Sequence, residues 1–154
     1  MRVLLTVVGK PRDAGLAAAI NQYETRATRY WPLEVHEVRE EPSRNGGADV
    51  VRQREGERLA SRIPPSCDIV ACDVEGTAMS SEAFAQWLQK VRESARDVAF
   101  AIGGAFGLAE EFRARARVRL SLAPWTLPHE LARLVLVEQL YRAGTIVRGE
   151  PYHK

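Results

Sequence analysis

Apolar runs too short for helices recur along this chain, each followed by a stretch with helical spacing, and this alternation is what most limits its fold. Residues 3–9 form a continuous apolar run closed by Gly9-Lys10-Pro11, the pattern of a buried strand followed by a turn. Asp13 is placed to cap a helix running to about Arg29, and Leu33–Val38 alternates as a strand with one exposed face does. After a polar loop at 40–47, a helix is predicted over 48–62, ended by Pro64-Pro65. Residues 68–73 read as a second buried strand, ended by a turn at Glu75-Gly76. Ser80 or Ser81 then caps a helix whose Phe84, Trp87, Leu88 and Val91 share one face. Val98–Ile102 is the next strand and runs into a glycine-rich loop at 103–107. A short charged helix, a brief strand over 118–122 and a last helix from about Pro128 to Ala143 complete the series.

Such alternation predicts an α/β layer with a mainly parallel sheet flanked by helices, in a single domain over residues 1–154. With 45% apolar residues the chain has enough material for a core. Ligands of parallel sheets bind beyond the carboxyl ends of the strands. The turns at 73–76 and 103–107 follow strands directly, so chemistry is expected there.

The last helix is different. Leu131, Leu134, Val135, Leu136, Val137 and Leu140 wrap much of its circumference, whereas a surface helix keeps a polar half. A subunit interface is a natural second surface for it, which predicts a homodimer.

Several classes are disfavoured. No apolar run approaches the length of a membrane span, and no secretory leader is expected at the N-terminus. Cys67 and Cys72 define neither a disulfide framework nor a CxxC pair, so a reduced, cytoplasmic setting is expected and no metal site. Gly103-Gly104-x-x-Gly107 is neither a Walker loop nor a full GxGxxG dinucleotide fingerprint. These glycines either relieve a tight turn or admit a ligand to the backbone. Residues 1–111 carry 14 basic and 17 acidic side chains, whereas residues 112–154 carry 8 and 3. A basic C-terminal third points to an anionic partner or to a solvated charged face. Arg113, Arg115, Arg117 and Arg119 are candidates for contact with such an anionic partner, and Lys10 and Arg12, beyond the first strand, are others.

More specific are the segments LSL at 120–122, TLPH at 126–129, EQLYRA at 138–143 and RGEPYHK at 148–154, together with FAIGGAFG at 100–107 and the opening run with its trailing Lys10. In these residues, and along its whole length, the chain resembles the RlmH family of SPOUT-class methyltransferases. The resemblance implies an α/β SPOUT fold with a C-terminal trefoil knot, S-adenosyl-L-methionine as cofactor and a homodimer. It further implies methylation of N3 of a pseudouridine in the intersubunit stem-loop of 23S ribosomal RNA, in the large subunit or the 70S ribosome. By position, the resemblance carries the cofactor site to Cys72 and Asp73, to Gly103, Gly104 and Gly107, and to Leu122, Ala123, Pro124, Trp125, Thr126, Leu127 and Pro128.

A uracil-type N3 carries a proton near neutral pH, so its methylation is helped by a base or by groups that stabilise the anion. No metal is needed. His153 is the leading substrate-site residue, with Tyr152 stacking or hydrogen-bonding beside it. His129, where the last helix begins, is either a further base or a helix-start histidine. Arg142 either holds an anion or pairs with Glu138. His36, on the second strand, reads as structural. The competing readings are a SPOUT enzyme acting on another RNA such as tRNA, a catalytically inactive dimeric RNA-binding module and, more remotely, a Rossmann-type nucleotide binder.

Overall fold

A computed structural model describes residues 1–153, with side chains through Tyr152. The strands are β1 (Val3–Val8), β2 (Leu33–Val38), β3 (Asp68–Ala78), β4 (Val98–Ile102) and β5 (Val118–Ser121). The helices are α1 (Ala14–Ala27), α2 (Ala48–Ala60), α3 (Ser81–Glu93), α4 (Glu110–Arg115) and α5 (His129–Val147). All pairings are parallel and the strand order is β2-β1-β4-β3-β5. Every strand therefore ends at the same edge of the sheet.

The pleat sorts the core into two layers. Val3, Leu5 and Val7 of β1 join Val70, Phe100 and Leu120 on one face, under α1, α3 and α5. Leu4 and Val8 join Ile69, Ala71 and Ala101 on the other, under Leu59 of α2 and Phe112 of α4. A parallel sheet has to be covered on both faces, which is why its central strands read as continuous apolar runs. Two helix starts follow their sequence signals: Asp13 accepts from the Leu16 N–H at 2.8 Å and Ser80 from the Ala83 N–H at 3.1 Å.

Two expected elements are corrected. The segment at 73–76 is not a turn that ends β3. The strand continues through a register shift between Cys72 and Thr77, and Thr77 then pairs with Leu120. Gly76 permits this, since a Cβ there would stand 2.6 Å from the Arg119 carbonyl carbon and oxygen. The last helix runs on to Val147, because Ala143, Gly144 and Thr145 are buried and continue its packed face.

Trp31, fully buried after α1, fixes α5 against the sheet. Its indole N–H donates to the Leu140 carbonyl at 2.8 Å, and the Arg92 guanidinium lies 3.9 Å from its ring centroid. Arg133, only 7% exposed, ties α5 to Glu24 of α1 at 2.8 Å and to Glu37 of β2 at 2.7 Å. Beyond β2, buried Glu41 gathers Arg54, Arg58 and the Asn45 amide. These three partners hold its carboxyl down at about 2, against 4.5 for the unperturbed group.

Trp31→Phe should cost about 1–3 kcal/mol, through the lost hydrogen bond and the smaller ring. Urea unfolding should report this as a lower midpoint at unchanged slope. Glu41 has a depressed folded-state pKa, so its stabilisation is present above pH 4.5 and is lost as pH falls towards 2. Thermal unfolding followed down to that pH should accordingly find a shallower acid loss in Glu41→Gln than in the parent protein.

Candidate functional site

The carboxyl ends of β3, β4 and β5 open into a cleft of about 1210 Å³. Cys72 and Asp73 line it from β3, Gly103, Gly104 and Gly107 from the loop after β4, and Leu122, Ala123, Trp125, Thr126, Leu127 and Pro128 from the segment after β5. These are the residues to which the sequence resemblance carries a cofactor, with one exception. Pro124 is exposed and does not line the cleft.

The glycine loop is both a tight turn and a cleft wall, so the two readings of its glycines are not exclusive. The Gly107 N–H donates to the Gly104 carbonyl at 3.0 Å, and Gly107 adopts φ +76°. A Cβ on Gly103 would stand 2.6 Å from the Gly107 carbonyl. Arg52 of α2 donates to the Phe106 carbonyl at 3.4 Å, which ties the far side of the loop to α2.

Asp73 is held by the Arg113 guanidinium at 3.3 Å and accepts from the Glu75 N–H at 3.1 Å. Burial, with the Asp73 charge beside it, pushes the Cys72 thiol up to about 12, so Cys72 is a neutral wall residue and not a nucleophile. In the segment after β5, the Ser121 hydroxyl donates to the Ala123 carbonyl at 2.8 Å. Trp125 beyond it is 78% exposed, a large apolar surface at the mouth of the cleft.

His129 begins α5 and lines this cleft and a second one beside it. Its Nε2 lies 3.7 Å from Glu40, which also pairs with Arg12 at 2.9 Å. The Arg12 N–H in turn donates to Glu130 at 2.9 Å, which fastens the loop after β1 to the start of α5.

The remaining candidates are elsewhere. Arg142 and Tyr152 gather on Glu138, nine residues further along α5 than His129 and thus about 14 Å along its axis. Arg142 donates to Glu138 at 2.6 Å, which confirms the ion pair, and the Tyr152 hydroxyl donates to the same carboxylate at 3.0 Å. The Arg142 guanidinium lies 4.9 Å from the Tyr152 ring centroid. Burial and hydrogen bonding raise the Tyr152 pKa, so its hydroxyl stays a donor. The side chain of His153 lies outside the described residues.

His36 sits 3.6 Å from Glu34 on β2, away from both clefts. Of the arginine series, Arg113, Arg117 and Arg119 are ion-paired within the chain. Sequence reasoning missed Glu55, a carboxylate 3% exposed against the glycine loop. Its signal was present: Val51, Glu55 and Leu59 recur at fourfold spacing, so Glu55 occupies an apolar position of α2. Among the described residues, no helix is long and apolar enough to cross a membrane.

The sequence profile described as "Predicted SPOUT methyltransferase" matches residues 1–153. The ribosomal RNA large subunit methyltransferase H of Gemmatimonas aurantiaca is 66% identical over 154 residues, covering 100% of both chains. Proteins of the same name from Anaeromyxobacter sp. (strain K) and Geobacter sp. (strain M21) are 46% and 44% identical, over 100% and 99% of each chain. A solved structure described as "Crystal structure of an hypothetical protein" superposes with a TM-score of 0.54 at 14% identity, covering 95% of this chain and 67% of that one, a likeness of fold alone. Matched by this profile over residues 1–153, and 66% identical over its whole length to one such methyltransferase, the chain is a member of the SPOUT methyltransferase family.

Proposed function

We propose that this chain transfers a methyl group from S-adenosyl-L-methionine to N3 of a pseudouridine in the intersubunit stem-loop of 23S ribosomal RNA, on assembled ribosomes. The observation that carries this reading is the cleft, which gathers all but one of the residues assigned to the cofactor by resemblance, on a chain 66% identical to a ribosomal RNA methyltransferase. A volume of about 1210 Å³ exceeds the roughly 300–1,000 Å³ of a pocket for one small ligand, which leaves room for a donor and an acceptor together.

The residues present fit the cofactor. The glycine loop exposes main-chain groups for hydrogen bonds, while Leu122, Trp125 and Leu127 offer apolar surface to an adenine ring. When bound, the cofactor supplies an activated methyl on a sulfonium. The protein's task is then to align the acceptor and to manage its proton. We assign His129 the N3 proton, because it lines the cleft and has Glu40 beside it. Tyr152 and Arg142, on leaving Glu138, would stabilise the anionic base, and His153, the leading candidate of the sequence, would act with them.

Those residues lie too far along α5 to reach the cleft of their own chain. Leu131, Val135, Glu138 and Arg142 form a half-buried stripe on α5, the face we assign to a second copy. In a homodimer across this face, the tail of one chain meets the cleft of the other. The reading also takes residues 1–154 as one SPOUT domain whose segment after β5 belongs to a trefoil knot.

Incubation of the protein with labelled S-adenosyl-L-methionine and ribosomes lacking the modification should yield 3-methylpseudouridine, identified by mass spectrometry of the nucleosides. Cofactor binding without transfer would overturn the target and turn attention to other RNAs, tRNA first. Equal transfer to deproteinised RNA would remove the requirement for an assembled ribosome. Gly103→Ala, whose Cβ would clash with the Gly107 carbonyl, should weaken cofactor binding by at least about tenfold in calorimetry, with near-native circular dichroism.

A further inference from the structure

A second cleft, of about 1100 Å³, opens at the carboxyl ends of β1 and β2 and shares Ala105, Phe106 and His129 with the first. Its charges are unevenly compensated. Glu37 is paired with Arg133, Glu40 with Arg12, and Glu41 with Arg54 and Arg58. Lys10, Arg39 and Arg44 are exposed at its rim, and none of their side chains has an ion-pair or hydrogen-bond partner among the described residues. Three free cations thus surround a cleft whose carboxylates, with one exception, are already neutralised.

The exception is Glu55, 3% exposed on the cleft wall. Its Oε2 accepts from the Glu41 N–H at 3.1 Å, while Oε1 has no partner among the described residues. Burial raises its pKa. A buried carboxylate oxygen left unmatched is costly unless a ligand supplies the donor. Between the two clefts, Phe106 is 43% exposed and presents a ring on which a planar base can stack.

We propose that the second cleft holds a nucleotide of the RNA substrate that flanks the one methylated, with its phosphodiester on Lys10, Arg39 and Arg44, its base against Phe106, and an N–H of that base donated to Glu55. Cations at a rim, an exposed aromatic and one buried acceptor are the components by which proteins take splayed-out bases of single-stranded RNA. A free mononucleotide would satisfy the same groups. The shared wall argues for the polymer, because one strand can thread both clefts past His129. This inference rests on the reading of the chain as a ribosomal RNA methyltransferase.

The test measures equilibrium binding of the full-length protein to ribosomes lacking the modification, over a series of salt concentrations, with cofactor affinity measured separately. A variant combining Lys10→Ala, Arg39→Ala and Arg44→Ala should bind at least about tenfold more weakly, and its plot of log K against log salt should be shallower by about 2–3. Glu55→Gln turns the acceptor towards an amide donor and should lower kcat/KM for ribosomes by about tenfold at unchanged cofactor affinity. Should Glu55→Gln fail to fold, the salt slope of the cation variant still decides the matter. An unchanged slope would overturn the proposal, even with weaker binding, since the cleft would then meet something other than phosphate. So would a Glu55→Gln variant that loses cofactor and ribosome affinity equally, for Glu55 would then only support the glycine loop. If the parent protein binds ribosomes but transfers no methyl, the methyltransferase reading fails separately, while the salt slope still tests the cleft.

Discussion

The seat of α5 depends on one buried cation. Arg133 emerges from the second turn of α5 and holds Glu24 on α1 and Glu37 on β2 at once, almost out of contact with water. A buried ion pair of this kind is weak support for overall stability, because desolvation offsets much of the attraction. Its geometric consequence is larger. Two carboxylates on two different elements fix both the rotation of α5 and its position along the sheet, and an apolar helix packed on Leu136, Val137 and Leu140 alone would fix neither as sharply. With α5 placed there, its first residue stands over the strand ends, and His129 divides the two clefts.

The charges of this chain make more sense as a map of what is paired than as a sum. A net charge of +2 reveals nothing of a nucleic-acid partner. The arginine series at 113–119 is the densest basic stretch in the sequence, yet most of it is spent on Asp73, Asp68 and Glu110. The cations left free at a cleft come from the two loops after β1 and β2. Sequence density of charge and electrostatic availability are different quantities, because tertiary contacts decide which ions already have partners.

The same distinction governs how far the sequence could be read. Strands β1, β2 and β4 were legible because period-two patterns and uninterrupted apolar runs are local signals. The course of β3 past Gly76 was not. Its continuation is set by pairing with β5, more than 40 residues later, and the glycine that looks like punctuation is an accommodation of the neighbouring backbone. The wall residues of the first cleft were legible through motif resemblance, Pro124 excepted, since the side-chain direction in an irregular segment leaves no periodic trace. Glu55 was legible in principle, as a carboxylate in the apolar stripe of α2.

The distribution of the candidate residues along α5 then constrains any mechanism. A straight helix separates its residues by about 1.5 Å each along its axis, and no rotamer change brings Arg142 or Tyr152 to the cleft that His129 lines. Glu138 also holds Arg142 and Tyr152 where they are, with the ring of Tyr141 4.5 Å from that of Tyr152. One chain therefore presents a cleft at one end of α5 and the Glu138 cluster towards the other. In the homodimer proposed above, with each α5 running past its partner about a twofold axis, the two would come together. The half-buried stripe of Leu131 and Val135 lies between those two ends, where such an axis would have to pass. Dimerisation of the proposed kind would complete the site as well as cover apolar surface.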